Sequence, residues 1–387
     1  MIYYGKQNIS EEDIKAVEAV LRSDFLTQGP AIERFERSVA KYCGAKYAVA
    51  VCNATAALHI ACLSAGLKAG DILWTSPITF VASANCGRYC GADVDFVDID
   101  EKTYNMSVEA LEEKLCRARK ENKLPKVVIP VHLAGQSCDM ARIKDLSEEY
   151  GFTIIEDASH AVGADYRDTK VGCCAFSEMT VFSFHPVKIV TTGEGGMVLT
   201  NRREIYENLK IYRSHGITRD PARMTHESDG AWYYQQITLG CNYRMTDIQA
   251  ALGASQMTRL DAFVARRREL AARYNALLHD LPFVTPYVME GANPSWHIYV
   301  LRMIPDQIGK TKQQIFEEMK EQGIVLNLHY IPVHRQPYYE KLGFRQGDFP
   351  ESEKYYEEAF TLPPYYDLTD DEQDRIVGAL KKALGIS

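Results

Sequence analysis

The feature that most limits the folds open to this chain is an alternation of short apolar segments with helical patterns over residues 47–157. The apolar segments YAVAVC, DILWTS, DVDFVDID, KVVIPVHL and FTIIED alternate with stretches such as SVEALEEKLCRARK and DMARIKDLSEEYG. Strands that are apolar on both faces need helices on both sides of their sheet. The pattern therefore predicts an α/β fold whose mostly parallel central sheet is sandwiched by helices, although it leaves the strand order open.

The pattern changes after residue 157, and the change predicts another kind of connection. Only HPVKIVTTGE separates the strand-like segments MTVFSF and GGMVLT. Ten residues are too few for a helical crossover, so we expect a turn-linked, antiparallel pair.

A long helical signal marks the change of domain. It runs over residues 245–281 and stops at Pro282. Beyond it, WHIYVLRMI and VLNLHYI are strand-like, whereas TKQQIFEEMKEQG and DEQDRIVGALKKAL are helical. We expect a large domain with an N-terminal arm over residues 1–255 and a smaller C-terminal α/β domain over residues 256–387. In the arm, Ser10 with Asp13 three residues later predicts a capped helix start.

The charge balance excludes several classes of partner. With 44 basic and 52 acidic side chains the formal charge is −8, so we expect no nucleic-acid partner. A phosphorylated small molecule would have to be bound by local donors such as helix N-termini. The first residues, MIYYGKQNIS, lack the basic start and following apolar stretch of a signal peptide. No segment approaches the roughly 18 apolar residues of a membrane span. These two features predict a cytoplasmic protein without a membrane partner.

Ten cysteines are present without a C-x-x-C pair or paired zinc spacing. We interpret them as mostly buried thiols and expect no metal site.

Asp157 and Lys188 are candidates for holding a cofactor ring that acts as an electron sink, which needs a lysine, an acid and phosphate donors. Asp157 ends the strand FTIIED, at the sheet edge where α/β proteins bind ligands. The alternative is that it caps the next helix. Lys188 follows the aromatic segment VFSFHPV, where partial desolvation would favour a nucleophilic amine. The alternative is a surface loop lysine.

A phosphate site is predicted where the strand YAVAVC gives way to a helix. The small residues NATAA at positions 53–57 would present backbone N–H groups at the helix start, where anions bind. Thr55 could instead cap that helix. Ser183 is a second candidate for this site, and its alternative is an inward-facing strand hydroxyl.

Several motifs in register resemble the DegT/DnrJ/StrS family of nucleotide-sugar aminotransferases, and the resemblance covers almost the whole chain. They are LTQGP (26–30), NATAAL (53–58), ITF (78–80), EDASHA (156–161), FSFHPVK (182–188), TTGEGG (191–196) and GCNYRMTDIQAA (240–251). The resemblance implies the aspartate-aminotransferase fold, which is fold type I among pyridoxal-phosphate enzymes. It also implies a pyridoxamine-phosphate form during turnover and a homodimer with active sites at the interface.

The resemblance implies three catalytic residues. Lys188 would hold the cofactor through an imine and then move protons, Asp157 would pair with its ring nitrogen, and His160 would lie close to the ring. The implied cofactor-binding set adds residues for the phosphate, the ring face and a contact across the dimer, namely Thr55, Ala56, Ser183, Phe80 and Asn242. Phe80 has the alternative of a core position.

The family's sugar-nucleotide site maps onto two segments and three single residues, namely Tyr4, Leu26, Thr27, Gln28, Gly29, His185, Asn242, Asn327, Leu328, His329 and Tyr330. Structural alternatives stay open for some of them. Tyr4 could be an exposed anchor near the terminus, His329 a satisfied core histidine, and His185 a packing residue before Pro186.

Within the family, YYGKQNIS, FSFHPVKIVTTGEGG, RSHGI and NLHYIPVHRQPYY are most similar to the aminotransferases of pseudaminic acid biosynthesis. That similarity implies amino transfer from L-glutamate to C4 of a UDP-linked 4-keto-6-deoxy-N-acetylhexosamine. Another 4-keto nucleotide sugar stays open as the substrate. Lys188 argues against a sugar dehydratase, in which a histidine stands at that position. A non-enzymatic sugar-nucleotide sensor is a weaker alternative, and a dehydrogenase lacks its G-x-G-x-x-G after the first strand.

Overall fold

The computed structural model describes residues 1–386. Its helices are α1 (Glu11–Leu21), α2 (Pro30–Cys43), α3 (Ala54–Ser64), α4 (Ala82–Tyr89), α5 (Val108–Glu121), α6 (Met140–Tyr150), α7 (Arg203–Arg213), α8 (Asp247–Met257), α9 (Leu260–Leu278), α10 (Lys312–Glu321), α11 (Pro337–Glu340), α12 (Pro350–Glu358) and α13 (Asp370–Ala383). Its strands are β1 (Tyr47–Val51), β2 (Ile72–Thr75), β3 (Asp93–Phe96), β4 (Val127–Ile129), β5 (Thr153–Asp157), β6 (Asp165–Tyr166), β7 (Thr169–Lys170), β8 (Met179–Ser183), β9 (Gly196–Thr200), β10 (Ile217–Thr218), β11 (Gln235–Gln236), β12 (Phe283–Val284), β13 (Ala292–Asn293), β14 (Tyr299–Met303) and β15 (Ala359–Leu362).

Seven strands form the central sheet in the order β1-β9-β8-β5-β4-β2-β3. The neighbours from β8 to β3 are parallel, whereas β9 runs antiparallel to both β8 and β1. The predicted mostly parallel sheet and the turn-linked antiparallel pair β8–β9 are confirmed. Because β1 and β8 both oppose β9, they point the same way, and the carboxyl ends of β1, β8, β5 and β2 lie at one edge of the sheet.

Helices cover both faces of this sheet, as the apolar strand pattern predicts. In β1, Ala48 and Ala50 belong to a buried cluster with Phe35 of α2, whereas Val49 and Val51 belong to another cluster that includes α3. Alternate strand residues point to opposite faces, so both faces of β1 are buried. The apolar sequence of the strand follows from this double burial.

A smaller antiparallel sheet, β12-β14-β15, lies in the C-terminal part of the chain. α9, α10 and α13 contribute side chains to the same buried cluster as its strands. The predicted α/β composition of this part is confirmed. The boundary near residue 256 stays a prediction, and that residue lies inside α8.

One helical expectation is confirmed with an interruption, and one strand expectation is wrong. The helical signal over residues 245–281 is divided into α8 and α9 by a break at Thr258 and Arg259. The segment VLNLHYI forms no continuous strand. Its Asn327 makes a single bridge to Thr361, and Ile324, directly before the segment, makes one to Ile2. The side chain of Asn327 accepts the N–H of Leu328 at 2.8 Å, which removes a donor that a strand partner would use.

The N-terminal arm is tied to the body of the protein through α1. Ser10 and Asp13 form the predicted capping box. The buried Asp13 also accepts hydrogen bonds from Ser255, Gln256 and Arg259, at 2.5 to 2.6 Å. The capping residue therefore fixes the arm to the end of α8.

Five of the ten cysteines are buried, four are half-buried and Cys116 is exposed, and none of them is in a disulfide. Half of the thiols are therefore buried, fewer than the expected majority. Among residues 1–386, no helix is long and apolar enough to cross a membrane.

Candidate active site

A cavity of about 630 Å³ opens at the carboxyl edge of the central sheet. Twelve of the residues that the sequence predicts for the site line it together, namely Tyr4, Thr55, Phe80, Asp157, His160, Ser183, His185, Lys188, Asn327, Leu328, His329 and Tyr330. Asn53, Thr79, Ser159, Glu194 and His297 line the same cavity. The fold thus brings residues from both ends of the chain to one place.

Asp157 is the last residue of β5, and its carboxylate is buried at the floor of the cavity. One oxygen accepts a hydrogen bond from the Ser83 hydroxyl at 2.6 Å, and the other accepts one from the Ser159 N–H at 3.1 Å. The element that follows Asp157 is the strand β6 and not a helix, so the capping alternative is excluded. The carboxylate is free to meet a cationic group in the cavity.

Lys188 lies in the turn between β8 and β9 and points into the cavity. The backbone N–H of Lys188 donates to the His185 carbonyl at 2.9 Å, which closes the turn. Burial lowers the pKa of the Lys188 amine to about 8, and the nearby Asp157 carboxylate opposes that shift. A surface lysine would not be desolvated in this way, so the surface-loop alternative is excluded.

The start of α3 forms another wall of the cavity. Asn53 caps the helix, because its side chain accepts the N–H of Ala56 at 2.8 Å. Thr55 therefore is not the cap. Ala54 and Thr55 are the first two helical residues, where N–H groups have no partner within the helix. Ser183 ends β8 at the same edge of the sheet and also lines the cavity.

The predicted contact of Ala56 with the phosphate stays a prediction. The N–H of Ala56 is already bonded to Asn53, and the residue is buried behind the cavity wall. Gly196 shows how close the neighbouring strand approaches this helix start. A Cβ at Gly196 would lie 2.5 Å from the carbonyl carbon and oxygen of Asn53. The position of the α3 start therefore depends on close contact between the backbones of Gly196 and Asn53, with no side chain between them.

Aromatic rings and imidazoles surround the upper part of the cavity. Phe80 is 57% exposed there, which excludes a core role. The Tyr330 hydroxyl is 3.0 Å from Nε2 of His160. Burial, the charge of Lys188 and the neighbouring His329 hold the pKa of His160 well below its usual value. His160 is therefore a neutral imidazole at physiological pH.

His297, which no sequence motif singled out, also lines the cavity, with its ring centre 4.4 Å from that of His160. Burial and the charge of Lys188 hold the pKa of His297 well below its usual value too. The only signal for it is a histidine two residues before the first residue of β14, in WHIYV.

The predicted sugar-binding residues Tyr4 and His329 contact each other, with ring centres 5.0 Å apart. Burial raises the pKa of Tyr4, and a hydrogen bond with Asn327 acts in the opposite direction. Nδ1 of His329 lies 3.1 Å from the Thr361 hydroxyl, so this histidine is both satisfied and part of the cavity wall. Tyr4 is half-buried rather than an exposed anchor. His185, by contrast, is exposed at the rim.

Some predicted residues lie outside this cavity in the single chain. They are Leu26, Thr27, Gln28, Gly29 and Asn242. Gln28 and Gly29 line a separate surface cavity of about 240 Å³. Asn242 is exposed and makes a single bridge to Ser214. Their predicted contact with the active site of a second subunit stays a prediction.

The groups around the cavity fit pyridoxal phosphate. An amine with a lowered pKa, a buried carboxylate without a charged partner among its two hydrogen bonds, and a helix N-terminus match its aldehyde, ring nitrogen and phosphate. Lys188, Asp157, and the α3 start with Ser183 are the corresponding residues.

Comparison with known proteins supports the same chemistry. A family model described as the DegT/DnrJ/EryC1/StrS aminotransferase family matches residues 7–381. The spore coat polysaccharide biosynthesis protein SpsC of Bacillus subtilis is 37% identical over 98% of this chain and 96% of its own length. The UDP-4-amino-4,6-dideoxy-N-acetyl-beta-L-altrosamine transaminase of Campylobacter jejuni is 33% identical over 95% of this chain and 93% of its own.

Solved structures give the same result. Helicobacter pylori PseC, an aminotransferase involved in the biosynthesis of pseudaminic acid, is 30% identical with a TM-score of 0.89, covering 99% of this chain and 98% of its own. The sugar aminotransferase Spr1654 of Streptococcus pneumoniae, in its pyridoxal-phosphate form, is 28% identical with a TM-score of 0.87, covering 99% and 98%. The chain therefore belongs to the DegT/DnrJ/EryC1/StrS aminotransferase family and is a pyridoxal-phosphate-dependent sugar aminotransferase of fold type I.

Proposed function

We propose that this enzyme transfers the amino group of L-glutamate to C4 of a UDP-linked 4-keto-6-deoxy-N-acetylhexosamine. The product would be UDP-4-amino-4,6-dideoxy-N-acetyl-beta-L-altrosamine, a precursor of pseudaminic acid. The observation that carries the proposal is one cavity that Lys188 and Asp157 line together with Tyr4 and His329. Its volume of about 630 Å³ is within the usual range for small-molecule sites.

Lys188 is the residue that we assign to covalent attachment and to proton transfer. With a pKa of about 8, a substantial fraction of its amine is unprotonated at a slightly alkaline pH, as a nucleophile and general base requires. Bound pyridoxal phosphate supplies an electron sink for the carbon that loses or gains the amino group. The amine of Lys188 can then remove a proton from one carbon and return it to another position.

Asp157 is assigned to the ring nitrogen and the start of α3 to the phosphate. A buried carboxylate keeps an opposing pyridine nitrogen protonated, which increases the electron demand of the ring. The free N–H groups of Ala54 and Thr55, with the hydroxyl of Ser183, would bind the phosphate. Phe80 and the neutral His160 would contact the ring from the cavity side.

The sugar nucleotide is assigned to the wall formed by Tyr4 and residues 327–330, with His185 at the rim. This part of the proposal includes a homodimer. Asn242 and the loop with Gln28 lie on the surface of one chain, and a second subunit would bring them to the cavity. The 33% identity with the Campylobacter enzyme supports the choice of the UDP sugar.

A second candidate is amino transfer to another 4-keto nucleotide sugar. The observation that favours it is the 37% identity with SpsC, a protein of spore coat polysaccharide biosynthesis. The cavity residues named above would be the same, and only the fit of the sugar would differ.

A panel of UDP- and dTDP-4-keto sugars with L-glutamate tests the proposal, with products identified by mass spectrometry and NMR. We expect the UDP-linked N-acetylhexosamine to be aminated at C4 with the highest kcat/KM. Preference for a dTDP sugar would reject the substrate and keep the reaction class. Lys188→Ala is the control, since it should show no steady-state transamination with any sugar, and substantial turnover by it would reject the role of Lys188.

A further inference from the structure

The carboxylate of Asp157 is held by hydroxyl groups from a neighbouring segment of the chain. We propose that Thr79 and Ser83 are positioning residues that form a two-hydroxyl relay, and that this relay fixes the carboxylate of Asp157 in the orientation in which it meets the cofactor ring. The inference rests on the role proposed above for Asp157 and assigns residues that act on the ring only through it.

The relay is short and buried. The Ser83 hydroxyl lies 2.6 Å from Oδ2 of Asp157, and the Thr79 hydroxyl lies 2.7 Å from that of Ser83. Ser83 is 0% and Thr79 2% exposed, so water does not compete for these bonds. Thr79 also lines the cavity, whereas Ser83 lies behind it in α4.

The direction of both hydrogen bonds follows from the chemistry of the groups. An ionised carboxylate only accepts, and Asp157 at 2.6 Å is a closer acceptor for the Ser83 hydroxyl than the Phe80 carbonyl at 3.4 Å, so the single proton of that hydroxyl points to Asp157. Ser83 must then accept from Thr79, which donates. The two dipoles are aligned toward the carboxylate, and aligned hydrogen bonds in a buried chain strengthen one another.

The other contacts of Asp157 make the relay important. Its remaining oxygen accepts the Ser159 N–H at 3.1 Å, so both of its bonds come from neutral groups. A hydrogen bond to an ionised group is about twice as strong as one between neutral groups. Of the two hydrogen bonds that hold this carboxylate, the one from the Ser83 side chain is the shorter. Ser83 therefore restrains a carboxylate that must stay charged and aligned.

The same segment carries Phe80, which faces the cavity. The Ser83 N–H donates to the Phe80 carbonyl at 3.2 Å, closing a turn at the start of α4. Residues 79–83 thus hold Asp157 through two side chains and present an aromatic ring to the same cavity. This arrangement differs from ordinary core packing, because its polar atoms converge on one carboxylate.

The test compares purified holoenzymes and apoenzymes of the variants Ser83→Ala, Thr79→Val and Thr79→Ser. Thr79→Val keeps the shape of the side chain without its hydroxyl, and Thr79→Ser keeps the hydroxyl. Thr75→Val is the matched control, since the buried hydroxyl of Thr75 donates to the Ile129 carbonyl and not toward Asp157. The readouts are the dissociation constant of the cofactor and the pH at which its visible absorption changes.

Ser83→Ala should raise the cofactor dissociation constant about tenfold, as expected for loss of one hydrogen bond to a charged group. The pH midpoint of the visible absorption should move upward, because a ring nitrogen that holds its proton less firmly withdraws fewer electrons. Thr79→Val should move both readouts in the same direction by a smaller amount, and Thr79→Ser should restore them. Adding Thr79→Val to Ser83→Ala should change nothing further, since the relay is already broken.

Asp157→Asn distinguishes failure of the proposed role of Asp157 from failure of the proposed relay. If it leaves the spectrum and the cofactor affinity unchanged, the proposed role of Asp157 fails. If Asp157→Asn changes both but Ser83→Ala and Thr79→Val behave like Thr75→Val, only the relay is overturned. Equal effects of Thr79→Val and Thr79→Ser on the spectrum would also overturn it.

Discussion

Replacement of Lys188 by methionine should stabilise the cofactor-free protein at neutral pH, although it removes the residue assigned to catalysis. Burial lowers the pKa of Lys188 from the ordinary 10.5 to about 8 in the folded protein. Below about pH 8 the folded chain must keep a charged amine in a desolvated position. Methionine has a similar length and carries no charge, so the replacement removes that penalty.

The size and pH dependence of the effect follow from proton linkage. Between pH 8 and 10.5 the unfolded chain binds the proton and the folded chain does not, so wild-type stability rises with pH in that interval. At about 1.4 kcal/mol for each pH unit, the full penalty is roughly 3 kcal/mol near pH 7. Solvent in the cavity reduces it, so we expect Lys188→Met to be about 1 to 3 kcal/mol more stable near pH 7. The advantage should be less than half as large near pH 9.5.

Urea denaturation of the two apoproteins at both pH values measures this difference. The exposed Lys68→Met is the control, and its stability should differ from wild type by less than about 0.5 kcal/mol at either pH. An advantage of Lys188→Met that does not change with pH would refute the reasoning, because packing alone would then explain it. A less stable Lys188→Met protein near pH 7 would refute it more directly.

Three further substitutions test the supports of the site. Gly196→Ala places a Cβ 2.5 Å from the backbone of Asn53, so it should displace the start of α3, lower stability by about 1 to 3 kcal/mol and weaken cofactor binding in equilibrium dialysis; unchanged affinity would contradict this. Asn53→Ala removes the cap of α3 and should lower the free energy of unfolding by about 1 kcal/mol, and no change in urea denaturation would contradict it. Arg259→Ala leaves the buried Asp13 without its counter-charge and should lower the free energy of unfolding by about 2 kcal/mol or more, whereas a neutral effect would show that Ser255 and Gln256 suffice.

The sequence predicts the sheet and its carboxyl edge well, because both depend on local patterns. Apolar runs such as FTIIED need burial on two faces, and the short link between β8 and β9 allows only a turn. Asp157 and Lys188 meet at one edge because one ends a parallel strand and the other follows its neighbour. Pattern and spacing are enough for this part of the fold.

The remainder depends on tertiary contacts that leave little trace in the local sequence. Nothing near Ala56 shows that its N–H is taken by Asn53, and either Asn53 or Thr55 could have capped the helix. His297 reaches the cavity from a different part of the chain, through the packing of β14. The break between α8 and α9 falls within a continuous helical pattern, at Arg259, whose side chain binds the distant Asp13.

The central claim is that Lys188 carries pyridoxal phosphate in a sugar aminotransferase. The most direct measurement is reduction of the holoenzyme with borohydride, followed by proteolysis and peptide mass mapping, with and without prior incubation with L-glutamate. The account predicts one phosphopyridoxyl group on Lys188, and its loss when glutamate has first converted the cofactor to its amine form. Labelling of a different lysine, or labelling of Lys188 that glutamate does not prevent, would contradict the account.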